Sequence, residues 1–141
     1  MVSRVLVCGG RDITNAKRVY ADLDRLNKQH GPFETVIEGD APGVDRMAGY
    51  WARKHRVTNL KFPAAWDDLD ATGAVIKKDR NGKLYNAAAG HQRNQRMLDE
   101  GKPELVIAFP GGPGTANMVK LAARDGFRVI GVPWPGHKET S

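Results

Sequence analysis

The sequence predicts one α/β domain in which a parallel sheet of about five strands carries helices on both faces. Three observations lead there. Short apolar runs stop at glycine, and each opens into a stretch whose apolar side chains recur at helical spacing. This strand-then-helix unit repeats along a chain of 141 residues, a length that suits a single domain over residues 1–141.

Val5 to Cys8 is an apolar run that ends at Gly9-Gly10, as a buried strand feeding a tight loop does. Thr14 is placed as the N-cap of a helix on which Val19, Leu23 and Leu26 fall at i, i+4 and i+7, ending near His30-Gly31. Thr35 to Ile37 repeats the strand pattern and stops at Gly39-Asp40. Beyond Gly43, the residues Val44, Met47, Ala48 and Trp51 again keep helical spacing. Leu60 to Phe62 reads as a third strand. The stretch from Trp66 to Asn86 is polar, contains Asn81-Gly82 and shows no sustained period, so it reads as an excursion or flexible loop. Ala87 to Glu100 suits a helix closed by Gly101 and Pro103, and Leu105 to Phe109 is the next strand. A helix from Thr115 to Arg124 and a last strand from Arg128 to Val132 follow, and the tail from Pro133 to Ser141 reads as irregular. Right-handed crossovers between parallel strands make this a Rossmann-like arrangement.

Composition narrows the classes further. With 40% hydrophobic and 27% charged residues and a mean hydropathy of -0.50, the chain has the balance of a packed soluble fold. Lys and Arg number 22 against 16 Asp and Glu, giving a net charge of +6 and an isoelectric point near 9.7, which suits an anionic partner. The single cysteine, Cys8, excludes an intramolecular disulfide, and no metal-ligand spacing surrounds it, so no metal and no cofactor are expected. No signal-like or membrane-spanning apolar stretch is present, and the expectation is a cytoplasmic protein with no membrane partner.

In an open parallel sheet, ligands bind at the carboxyl ends of the strands where strand order reverses. Three loops at such ends are rich in glycine: Gly9-Gly10-Arg11-Asp12, the segment from Gly39-Asp40 through Gly43 to Asp45, and Gly111-Gly112-Pro113-Gly114-Thr115. If the strands before the first and last of these are neighbours, those two loops face each other over one pocket. Gly112 to Thr115, opening a helix, is the best phosphate site, because unpaired N–H groups and the helix dipole favour an anion there. Walker and dinucleotide fingerprints do not match: no Lys precedes Thr115, and residues 40 to 45 lack GxGxxG.

Four motifs occur in order: Cys8-Gly9-Gly10-Arg11-Asp12; Glu38-Gly39-Asp40-Ala41-Pro42-Gly43-Val44-Asp45-Arg46-Met47-Ala48; His91-Gln92-Arg93-Asn94; and Pro110-Gly111-Gly112-Pro113-Gly114-Thr115. In these the chain resembles the SLOG superfamily, in its YspA/YpsA-like branch, which includes relatives of the Lonely Guy phosphoribohydrolases and of DprA. The resemblance implies a Rossmann-like domain that binds nucleotides or nucleotide-derived ligands, and a homodimer or higher homo-oligomer. Lonely Guy enzymes cleave an N-glycosidic bond with an Arg and a Glu. Arg93 sits where that Arg would fall, but the Glu position is Met118, a thioether that can neither move a proton nor stabilise a cationic sugar.

Three functions follow as alternatives. The first is a module that binds a nucleoside phosphate or an ADP-ribose- or NAD-like ligand, as sensor, carrier or sequestering protein. The second is N-glycosidic hydrolysis of such a ligand, with Asp45 and Arg93 as the catalytic pair; the plainer role for Asp45 is a cap on its helix. The third is binding of single-stranded nucleic acid, for which Lys77, Lys78, Arg80 and Lys83 form the densest cationic run. The ligand contacts expected are Gly9, Gly10, Arg11, Asp12, Gly39, Asp40, Gly43, Asn94, Gly111, Gly112, Gly114 and Thr115. Arg11 and Arg93 are read as a phosphate clamp or as solvated cations, and Asn94 as a reader of a base or ribose edge or as a polar helix residue. Cys8 reads as a small buried hydrophobe, Trp51 as core, and Trp66 as a packing residue that could stack on a base.

Overall fold

The computed structural model describes residues 1–134, so most of the tail read as irregular lies outside the described residues. The elements in order are β1 (Arg4–Cys8), α1 (Ala16–His30), β2 (Thr35–Glu38), α2 (Val44–Lys54), β3 (Thr58–Lys61), β4 (Ile76–Lys78), β5 (Leu84–Asn86), α3 (Ala89–Asp99), β6 (Leu105–Ala108), α4 (Pro113–Arg124) and β7 (Val129–Gly131). Five strands form one parallel sheet in the order β3-β2-β1-β6-β7. The chain winds outward from β1 to β3, then returns to the centre at β6 and winds the other way. The reversal therefore lies between β1 and β6, which pair from Val5↔Leu105 to Cys8↔Ala108.

The side-chain alternation of β1 sends its residues to two cores. Val5 and Val7 join Val19, Leu23, Ala48 and Trp51 on the face covered by α1 and α2. Leu6 and Cys8 join Met97, Leu98, Met118 and Ala122 on the face covered by α3 and α4. Both faces of the central strands are buried, and for that reason β1, β2 and β6 read as continuous apolar runs. Trp51 is 1% exposed; its indole N–H donates to Asp24 Oδ1 at 2.8 Å, and its ring stacks on His55.

Three expectations need correction. The N-cap of α1 is Asn15 rather than Thr14, since its side chain accepts from Arg18 N at 3.2 Å. The third strand begins at Thr58 and ends at Lys61, earlier than the apolar letters placed it, because this edge strand is only half covered. The excursion from 66 to 86 is no structureless loop: β4 and β5 pair antiparallel across a turn that contains Asn81-Gly82. Asp79 Oδ1 fastens that turn by accepting from Asn81 N and Lys83 N at 2.8 and 2.9 Å. The hairpin is anchored by Asn86, fully buried, whose Oδ1 accepts from Val75 N and Ala88 N while its Nδ2 donates to Gln92 Oε1 on α3.

Candidate functional site

Because β1 and β6 are neighbours, the loops that leave them lie side by side and are stitched together. Gly10 N donates to Pro110 O at 2.8 Å, and Phe109 N to Cys8 O at 2.9 Å. The loop after β2 closes against the first at Gly43, whose φ of +82° is left-handed and beside which a Cβ would meet the backbone of Arg11. Val44 N then donates to Gly10 O at 3.3 Å, so α2 starts from the same junction.

Between these loops and α3 lies a cavity of about 340 Å³, within the range of roughly 300 to 1,000 Å³ that small-ligand sites occupy. Cys8, Met97 and Met118, all buried, give it an apolar base. Gly9, Gly10 and Arg11 line it from the β1 loop, and Asp45 from the first turn of α2. Gly112, Gly114 and Thr115 line it from the start of α4, and Arg93 and Asn94 from α3. Asp12, Gly39, Asp40, Gly43 and Gly111 were also expected at the ligand, but none of them lines this cavity. Gly111 borders a second, wider hollow of about 570 Å³ beside Trp134, and Asp40 faces Arg46 and Lys61 at 3.6 and 3.9 Å.

Gly39 matters from behind the cavity. A Cβ there would stand 2.8 Å from both Arg93 Cζ and Asp45 Oδ2, so only glycine lets both of these side chains approach its backbone. Arg93 Nη1 donates to Gly39 O and, at 3.4 Å, to Phe62 O, and Nε donates to Asn94 Oδ1 at 3.0 Å. Burial lowers the Arg93 pKa from its usual value, against the pull of Asp45 and Glu38. Asp45 is 6% exposed, and burial pushes its carboxyl up to about 7; Arg93 draws it down, Glu38 pushes it up further, and backbone N–H groups of Ala41 and Gly39 oppose the rise. Glu38 is fully buried and raised, chiefly by burial, while it accepts from Asn59 Nδ2 at 3.0 Å and from Asp40 N. Burial also drives the Cys8 thiol well above its ordinary range, which makes it a poor nucleophile.

The start of α4 carries no capping side chain. Gly112 is its N-cap, Pro113 opens the first turn, and neither a capping side chain nor an acidic residue answers the positive end of the helix. Asn94 holds this end in place, since its Nδ2 donates to Gly114 O at 3.1 Å and to Asn117 Oδ1 at 2.9 Å. It thus acts as a strut between α3 and α4. Sequence reasoning missed Ala87 and Gly90 as cavity residues; an isolated glycine inside a helical pattern was the available signal for the second. Among the described residues no three His, Cys, Asp or Glu side chains are grouped to hold a metal ion, and no helix is long and apolar enough to cross a membrane.

Fold and site together define a Rossmann-like α/β domain with a ligand-sized cavity at its point of strand reversal. Residues 3–68 match the profile of YAcAr, the YspA, cpYpsA-related SLOG family, in agreement with the resemblance its motifs carry. Solved structures agree on the fold. DprA from Streptococcus pneumoniae superposes with a TM-score of 0.66 at 17% identity, over 95% of this chain and 51% of that one. DprA from Helicobacter pylori, whose structure concerns its single-stranded DNA binding mode, gives 0.64 at 18% identity, over 96% and 67%. The protein TM1055 gives 0.59 at 17% identity, over 90% and 72%. A 4-amino-4-deoxyprephenate dehydrogenase of Streptomyces pristinaespiralis is 27% identical over 125 residues, which cover 74% of this chain and 42% of that protein. The chain therefore spans less than half of that relative and about half of the pneumococcal one.

Proposed function

We propose that the domain binds a nucleotide or nucleotide-derived small ligand, a nucleoside phosphate or an ADP-ribose- or NAD-like compound, and acts as a sensor, carrier or sequestering module. The observation that carries this reading is the cavity itself. It lies where β1 and β6 meet, and it combines the uncapped start of α4 with Arg11 and Arg93 over an apolar base. The match of residues 3–68 to the SLOG family profile supports the ligand class. A phosphate at Gly112 to Thr115 would receive backbone hydrogen bonds and the helix dipole. The experiment is thermal melting at fixed ionic strength with nucleoside phosphates, ADP-ribose, NAD and cyclic nucleotides, since a ligand of the native state raises stability by mass action. A selective rise is expected; a flat response to every compound would end this reading.

A second reading, N-glycosidic hydrolysis, is favoured by Asp45. A carboxyl that titrates near 7 on a cavity wall can protonate a departing base, with Arg93 beside it and Met118 where the Lonely Guy glutamate would stand. Incubating the ligand found by melting with the parent and with Asp45→Asn tests it. Turnover by the parent that falls roughly 100-fold or more in a folded, ligand-binding variant is the expected result; equal turnover by both would remove Asp45 from the chemistry. Single-stranded DNA is the third reading, supported by the DprA likeness and by the exposed cations of the hairpin. The homodimer implied by the SLOG resemblance belongs to the same proposal and is checked by sedimentation.

A further inference from the structure

Of the three tryptophans, Trp51 is in the core and Trp134 packs against Phe109, whereas Trp66 keeps 42% of its surface exposed while lining the cavity. A tryptophan that served only to pack would be covered further. Its position is nonetheless fixed at two points. Trp66 O accepts from Asn86 N at 2.7 Å, which ties the residue to the anchored foot of the hairpin. The outer edge of the indole rests on Gly90 in the first turn of α3, where a Cβ would stand 3.2 Å from Trp66 Cη2 and 3.6 Å from Cζ2. Glycine at 90 thus admits the ring, and the excursion delivers it.

The cavity is consequently two-sided in chemistry. The loops at the sheet edge bring Arg11 and the start of α4, and α3 brings His91, Arg93 and Asn94, while Trp66, Ala87 and Gly90 together offer a ring face and small apolar surface. We propose that Trp66 is the platform for the planar heteroaromatic ring of the ligand, so that the domain selects base-bearing phosphates over sugar phosphates that lack a base. This rests on the nucleotide reading above. Stacking recognises any base by area, because every base has a π-face and contact between ring faces reads no base edge. The contribution of this stack to selectivity between bases is therefore weak and favours the larger purines.

The test measures binding of AMP, ADP-ribose and ribose 5-phosphate by calorimetry to the parent, Trp66→Ala, Trp66→Phe and Gly90→Ala, each first shown to melt cooperatively. Trp66→Ala should weaken AMP or ADP-ribose by about 5- to 150-fold, the range for loss of one base-aromatic stack, and leave ribose 5-phosphate within about two-fold. Trp66→Phe should restore most of the loss, and Gly90→Ala, which asks the ring to give by a few tenths of an ångström, should weaken the base-bearing ligands less than Trp66→Ala does. An equal loss for base-bearing and baseless ligands, or none for either, would overturn the platform while leaving the nucleotide reading standing. A parent that binds none of the three, nor anything in the melting panel, would overturn both.

Discussion

Asp45 is the side chain whose surroundings leave the clearest mark on the protein as a whole. It is faced by Arg93 from α3, by Glu38 from the end of β2 and by the Cys8 thiol of β1, and burial outweighs the favourable charge of Arg93. Between the ordinary carboxylate range and about 7, the folded protein holds a proton on Asp45 that the unfolded chain has released. Its contribution to stability is therefore present at low pH and is lost as pH rises through about 7. Asp45→Asn keeps the shape and removes that charge, so at about pH 8 it should melt roughly 2 to 8 °C above the parent, with the gap closing towards about pH 5. Parallel melting curves across that range show the outcome; identical curves for the two proteins would mean that the buried charge costs nothing. The sequence made Asp45 and Arg93 legible as candidates, since both fall in the motifs. It did not show that both approach the backbone of Gly39, because 48 residues separate them (93 − 45) and only the strand order brings them to one place. Gly39, expected at the ligand, has Arg93 and Asp45 as neighbours.

At the scale of elements, every strand of the parallel sheet was legible, the edge strand β3 with shifted bounds, and the two strands of the hairpin were not. Val5 to Cys8, Thr35 to Ile37 and Leu105 to Phe109 advertise themselves as apolar runs because helices cover both of their faces. The hairpin carries the sequences Ile76-Lys77-Lys78 and Leu84-Tyr85-Asn86, three residues a strand with little to bury, so no period could emerge. Asn81-Gly82 was the one local signal, as that pair favours tight turns. What holds the hairpin is Asn86, and its partners Val75, Ala88 and Gln92 are visible only in three dimensions. Asn86→Ala should leave the backbone N–H groups of Val75 and Ala88 without their acceptor, a loss of about 1 to 3 kcal/mol. Since the foot of the hairpin is what loosens, trypsin should cut at Lys77, Lys78, Arg80 or Lys83 several-fold faster in this variant while the five-stranded core still melts cooperatively. Cleavage at the parent's rate would show that the hairpin is held elsewhere.

The whole molecule carries a net charge of +6, and four of its cations, Lys77, Lys78, Arg80 and Lys83, stand exposed on the hairpin. Lys83 is partly answered by Asp67 at 3.2 Å. This charge distribution serves the two competing partners differently. A single nucleotide seated in the cavity engages the start of α4 and one or two arginines, so its affinity releases few counterions. A single strand laid along the hairpin would engage up to four cations, and a slope of about −0.7 per phosphate gives roughly a 50-fold loss for a four-fold rise in salt. The nucleotide reading predicts a loss of only a few-fold for AMP or ADP-ribose over the same interval, in the parent and in a variant with all four cations changed to Gln alike. An oligothymidylate whose binding falls steeply with salt, and whose slope flattens in that variant, would place the polymer on the hairpin. If the oligonucleotide also displaces the small ligand, the cavity is where the strand is gripped, and the nucleotide is then one unit of a polymer site. Independent binding of the two would leave the cavity to the small molecule and make the basic hairpin a second surface.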